Sequence, residues 1–252
     1  MTKVLEVSNL TKSFGGVQAL HDVSFELEQG RLLAMIGPNG AGKSTCFNLI
    51  NGQLRPDRGI IVVMGKKTNG SKPRDIWKLG VGRTFQITST FASMTVLENV
   101  QMAMFSYHKR TKSLLKKASS LYADASLELL KLVGIEDQQH RACGVLAYGD
   151  LKRVELAIAL ANEPRLLLMD EPTAGMGPAE RQSLMEMTSN IVRTQSIGVL
   201  FTEHDMDVVF NYADRIIVLN RGELVAEGTP EEVRQNHKVQ EIYLGSGDIL
   251  SC

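Results

Sequence analysis

Nine residues, GPNGAGKST at 37–45, bring three glycines, a lysine and two hydroxyls together at the spacing G-x-x-x-x-G-K-[ST]. Gly37, Gly40 and Gly42 let a backbone turn tightly enough for successive N–H groups to converge on phosphate oxygens. Lys43 then reaches the β- and γ-phosphates, and the Ser44 hydroxyl helps to hold Mg²⁺. Asn39, Ala41 and Thr45 complete the cradle around the same group. The pattern has physical meaning only between a strand and a helix. Leu32–Ile36 is an unbroken apolar run of strand length, and Lys43–Asn51 reads as the helix that follows. The positive end of that helix adds to the anion site. These residues imply a site for a nucleoside triphosphate.

A second apolar strand, Leu166–Asp170, ends in two carboxylates, Asp170 and Glu171. Asp170 suits a Mg²⁺-holding role, commonly through water, and Glu171 can orient or deprotonate an attacking water. Two acids at a strand end could also be an ordinary loop with a capping Asp; beside the glycine loop the chemical reading is preferred. Gln86 follows the strand Val81–Phe85 and could offer its carbonyl oxygen to Mg²⁺ or water. His204 follows the strand Ile197–Thr202 and could donate from its ring to a γ-phosphate oxygen. Both sit at carboxyl ends of strands, where open α/β sheets gather ligands.

The elements that must position these groups alternate. Short β runs come first (Val4–Val7, Val23–Leu27, Arg31–Ile36, Ile60–Met64), with turns at Gly15-Gly16, Gln29-Gly30 and Asp57-Arg58-Gly59. Leucines at helical spacing dominate from about Val96 to Gly134. Beyond lie helix Leu151–Asn162, strand Leu166–Asp170, helix Pro178–Thr194, strand Ile197–Thr202, helix Met206–Tyr212 and strand Arg215–Leu219, a rhythm that predicts a parallel sheet with covering helices. Thr229-Pro230-Glu231-Glu232 announces a C-terminal helix. The expected architecture is one α/β domain over 1–252, with a small N-terminal β layer and a helical insert at 87–163.

Bulk composition narrows the function. Lys plus Arg and Asp plus Glu balance at 28 each among 252 residues, so no charge excess argues for nucleic acid or a bilayer. The opening MTKVLEVSNL has no charged head followed by an apolar stretch, which predicts no secretory signal. The apolar runs are strand-sized, too short to span a membrane. Cys46, Cys143 and Cys252 are scattered without a C-x-x-C pair, which fits a reducing compartment and argues against a structural zinc.

With these features in order, the chain resembles the ATP-binding cassette (ABC) ATPases from about Leu5 to Gly245. Gln86 matches the family's Q-loop glutamine, His204 its switch histidine and Phe14 the aromatic that stacks on adenine; LAYGDLKRVELAIALA at 146–161 matches its signature region. RTFQ at 83–86, MTVLENV at 94–100, LAYG at 146–149, AGM at 174–176 and EEVRQNHKVQEIYLG at 231–245 look like the ATPase subunits of branched-chain amino acid importers and their relatives for amides, urea or other small organic acids. The resemblance implies a P-loop NTPase core with an N-terminal antiparallel β layer and an α-helical subdomain. It implies ATP and Mg²⁺, a second ATPase (identical or paralogous), membrane permeases and, indirectly, a solute-binding protein. It places the chain at the cytoplasmic face of the inner membrane. It also places each ATP between Lys43 of one copy and Ala147 and Gly149 of the other.

Two positions depart from the family pattern. LSGGQ is LAYGD here, so Ala147 lacks the Ser hydroxyl that would reach the γ-phosphate, and a hydrogen bond to a charged group contributes about 1.5–3 kcal/mol. Gly177 stands where an Asp usually makes a contact across the dimer. An ABC protein acting on ribosomes or DNA would carry a second cassette, long heptad arms or zinc modules, and a metabolic P-loop kinase would have no use for the signature or His204. Neither fits as well.

Overall fold

The computed structural model describes residues 2–84, 90–108 and 122–244. Strand β1 (Lys3–Phe14) pairs antiparallel with β2 (Val17–Glu28) across the Gly15-Gly16 turn. β3 (Leu32–Ile36) leads through the glycine loop into helix α1 (Lys43–Ile50). β4 (Arg58–Val63) and β5 (Lys66–Lys67) complete a four-stranded antiparallel sheet in the order β2-β1-β4-β5. Helix α2 (Pro73–Lys78), β6 (Val81–Arg83) and helices α3 (Val96–His108), α4 (Ala123–Leu132) and α5 (Tyr148–Leu160) follow. Then come β7 (Leu166–Asp170), α6 (Pro178–Gln195), β8 (Gly198–Thr202), α7 (Met206–Tyr212), β9 (Arg215–Asn220), β10 (Glu223–Gly228), α8 (Pro230–Arg234) and α9 (His237–Leu244). The second sheet runs β10-β9-β3-β8-β7-β6, parallel throughout except for the β9–β10 hairpin.

The unbroken apolar runs are explained by burial on both faces of this parallel sheet. Successive side chains alternate between two cores. Leu32, Ala34 and Ile36 of β3 join Leu167, Met169, Val199 and Phe201 in the core beneath the helices. Leu33 and Met35 turn the other way, joining Leu166, Leu168 and Leu200 against α1 and the antiparallel sheet. Each large side chain so buried contributes about 1.5–3 kcal/mol. A one-residue slip of β3 would exchange its two sets of side chains between cores already packed to their own volumes.

The expected helical stretch from Val96 to Gly134 contains α3 and α4, with 109–121 outside the described residues. Thr95 and Glu98 form a reciprocal cap at the start of α3: Thr95 N donates to Glu98 Oε2 at 2.8 Å, and Glu98 N to Thr95 Oγ1 at 3.2 Å. The same device starts α8 between Thr229 and Glu232. Three boundaries differ from expectation. Arg58 and Gly59 belong to β4 rather than to a turn, because Thr11 pairs with Arg58 and draws that segment into the sheet. The N-terminal strands run on through register shifts that the alternation rule reads as strand ends. Helix α5 starts at Tyr148, three residues earlier than the apolar periodicity suggests, since Ala147 is already extended and its carbonyl accepts from Leu151 N.

Candidate nucleotide site

Strands β3, β7 and β8 end side by side, with Met35 and Asp170 both in register with Thr202. The residues just beyond those ends therefore share one edge of the sheet, on the side where α/β folds collect ligands.

From β3 the chain enters the glycine loop. Gly42 has φ of +106°, and a Cβ there would lie 2.6 Å from the Ala19 carbonyl oxygen, so only glycine lets α1 begin this close to β2. Lys43 is buried and folds back on its own loop: Nζ donates to the Gly37 carbonyl at 2.5 Å and to that of Pro38 at 3.3 Å. Burial pushes the Lys43 ammonium below its usual range, opposed by the negative charges of Glu171 and Asp170. Ser44 is exposed on the first turn of α1, Thr45 is half-buried, Asn39 and Gly40 are exposed, and Ala41 is buried.

From β7 come the two acids. Thr202 Oγ1 donates to Asp170 Oδ1 at 2.8 Å, and Arg83 Nη2 lies 3.7 Å from Asp170 Oδ2. Burial lowers the Arg83 pKa, and the Asp170 charge offsets part of that shift. Glu171 adopts φ of +48°, a left-handed conformation that costs a non-glycine residue about 1–3 kcal/mol. Its N–H is held there by both the carbonyl and the hydroxyl of Thr202, each at 3.1 Å. The result aims the Glu171 carboxylate at the loop after β8, where Oε1 lies 2.9 Å from His204 Nε2. Asp170, Glu171 and His204 are thus one hydrogen-bonded group through Thr202, with Lys43 in electrostatic reach.

The signature residues lie elsewhere. Ala147 caps α5 with no side-chain oxygen to offer, so donors of the first turn stay available to an incoming anion. Gly149 is buried against α6, where an added Cβ would sit 3.1 Å from Glu180 Oε1. Glu180 Oε2 accepts from Gly177 N at 3.1 Å, tying the start of α6 to the same turn. Val145 (64 % exposed) and Tyr148 (41 %) face outward. Phe14, 46 % exposed, ends β1 with Lys12 Nζ 5.4 Å from its ring centroid. Gln86 lies outside the described residues.

Sequence reasoning missed Thr202, Thr173, Glu203 and, as an Asp170 partner, Arg83. The one available signal was polar: TEHD at 202–205 abruptly ends an apolar strand. The donor set suits Mg²⁺. Ser44 and Asp170 offer hard oxygen donors, the type that a small divalent cation carrying waters and substrate phosphates takes.

Known proteins share this fold. The ABC transporter family profile matches residues 20–174, and a branched-chain amino acid ATP-binding cassette transporter profile matches residues 223–249. The high-affinity branched-chain amino acid transport ATP-binding protein LivG of Salmonella typhimurium is 38 % identical over 252 residues, covering 96 % of this chain and 98 % of that one. BraF of Pseudomonas aeruginosa, described in the same words, is 36 % identical over 250 residues, with the same coverage. The crystal structure of a nucleotide-free ATP-binding cassette from an ABC transporter superposes with a TM-score of 0.85 at 31 % identity, covering 96 % of this chain and 98 % of that one. A dimeric cassette in a post-hydrolysis state bound to ADP and Pi superposes at 0.76 and 26 %, covering 90 % and 98 %. The chain belongs to the ABC transporter family, as an ATP-binding subunit that hydrolyses ATP. A cassette acting on ribosomes or DNA is not favoured by these transport relatives.

Proposed function

We propose that this chain powers an importer of branched-chain amino acids or related small polar solutes, as one of two cassettes seated on membrane permeases at the cytoplasmic face. The observation that carries the reading is the convergence of Lys43, Asp170, Glu171 and His204 on one sheet edge, while Gly149 packs beside α6 behind the exposed Ala147. One half of an ATP clamp is complete within the chain, and the other half is presented for a second copy.

Phe14 stacks on adenine, and the loop from Gly37 to Thr45, with Asn39, Gly40, Ala41 and Gly42 in its turn, wraps the phosphates. Lys43 exchanges the carbonyls of Gly37 and Pro38 for β/γ oxygens. Ser44 and Asp170, with Gln86, would hold Mg²⁺, which would offset negative charge on the phosphates. Glu171 takes a proton from water as its oxygen attacks the γ-phosphorus, and His204 donates to a γ-oxygen. The bond to the bridging oxygen breaks, ADP and phosphate separate, and the donors of the second copy's Ala147–Gly149 turn lose their acceptor. The dimer then opens, a two-state change biased by one phosphate.

The helical unit, taken as 87–163, would pass this motion to the permeases. A cleft of about 880 Å³ between α2, β6, α3 and α5 is the docking place, with Trp77, Ile76 and Ile158 as apolar lining and the exposed Arg74 and Lys78 beside them. No helix among the described residues is long and apolar enough to cross a membrane, so attachment runs through those subunits. A solute-binding protein would deliver the cargo to them. Glu171→Gln should lower turnover by about 10²–10⁴-fold, the usual worth of a general base. It should also trap an ATP-bound dimer in light scattering; normal hydrolysis, or a monomer under saturating ATP, refutes the reading.

A further inference from the structure

We propose that Glu203 is a positioning residue that sets the Glu171–His204 geometry by clamping the loop after β7 to the loop after β8. The proposal rests on the assignment of Glu171 and His204 above and extends it to a residue that touches neither the substrate nor the attacking water.

Glu203 is 4 % exposed and stands between Thr202 and His204. Its Oε1 accepts from both Thr173 N, at 2.8 Å, and Thr173 Oγ1, at 2.7 Å. Its Oε2 accepts from His204 N at 3.2 Å. Three donors from two loops thus converge on one carboxylate, two of them backbone N–H groups that no rotamer change can withdraw. Thr173 is two residues from Glu171, and His204 is the next residue along the chain. The clamp therefore closes a small ring: Glu171 to Thr173 through the chain, Thr173 to Glu203 by hydrogen bonds, Glu203 to His204, and His204 Nε2 back to Glu171 Oε1.

The other flank of His204 is held as well. Asp205 caps α7 by accepting from Val208 N at 3.2 Å and is ion-paired with Arg181 of α6. The switch histidine is therefore fixed on both sides to the segment that follows the catalytic glutamate. Burial raises the Glu203 carboxyl, and the bonds from Thr173 and His204 oppose it. A carboxylate committed to three donors is poorly placed to act as a base itself, so its contribution is positional.

The test uses the purified full-length chain, with kcat normalised to the ATP-binding fraction. Glu203→Gln keeps the shape but turns one acceptor into an NH₂ that faces a donor. It should lower kcat by about tenfold or more while KM for ATP moves by less than about twofold, the signature of lost positioning. In the double variant Glu171→Gln/Glu203→Gln, turnover should match Glu171→Gln alone, because Glu203 acts only through that pair. A normal kcat, a loss lying wholly in KM, or additive losses in the double variant would each overturn the clamp. Should Glu203→Gln fail to fold, Thr173→Val serves: it should lower kcat, and Thr173→Ser should recover most of the loss, whereas wild-type kcat in Thr173→Val overturns the proposal. An active Glu171→Gln enzyme would sink the underlying site reading; an inactive one beside a fully active Glu203→Gln removes the clamp alone.

Discussion

The two halves of the nucleotide site are built on opposite plans. On the side of β3, β7 and β8, four of the groups proposed to act are braced: Lys43 by two loop carbonyls, Glu171 by Thr202, Asp170 by Thr202 with Arg83 nearby, and His204 through Glu203 and Asp205. On the side of α5, the signature turn presents Ala147 and Tyr148 to the outside, with Gly149 tucked against Glu180 behind them. On the proposed reading, the braced half owes its shape to the chain's own hydrogen bonds. The presented half has its geometry fixed at the back and its donors offered at the front, as expected of a surface that meets its ligand only on association.

That contrast can be broken most directly at Lys43. If the braced half captures nucleotide unaided, Lys43→Ala should weaken ATP binding to the isolated chain by about 100-fold, in line with two charge-assisted hydrogen bonds. Equilibrium titration measures this, and an unchanged affinity would show that the loop's lysine is not the anchor. Ala147→Ser sharpens the other side. Restoring a hydroxyl should strengthen ATP-dependent self-association by about tenfold, one bond to a charged group, without altering the affinity of the lone chain. Analytical ultracentrifugation with Glu171→Gln as background separates the two; a change in monomer affinity would contradict the division of labour.

The smallest expected effect lies beneath the braced half. Burial pushes the Cys46 thiol up to about 12 from an ordinary value of 9.0. The native state thus keeps a proton that the unfolded chain releases above pH 9, so the thiol's stabilising share is full below that pH and declines through 12. Urea unfolding at pH 8 and pH 10 should show the wild type losing about 1.4 kcal/mol more than Cys46→Ala between the two. Equal losses would mean the thiol is not shielded.

Much of this was legible in the chain because the decisive signals are local. The glycine loop is contiguous, and the strands before it and before Asp170 announce themselves as apolar runs with no alternation. Even the nearness of Glu171 and His204 follows from their places just past the ends of the neighbouring strands β7 and β8. The braces were invisible because they are not local. Arg83 meets Asp170 across two adjacent strands, and Glu203 looks like any acid in a polar turn until Thr173 folds onto it. Short elements were missed for a related reason: α2 and β10 are six residues each, too brief for a period to register, and their stability comes from neighbours. Gln86 was named from the sequence and lies outside the described residues.

Lys43 has one last consequence. Its ammonium grasps the Gly37 and Pro38 carbonyls and so ties the first residue of α1 back to the start of the loop. On the proposed reading, a phosphate would compete with these carbonyls for the ammonium, so capture becomes a swap of partners more than an act of moulding.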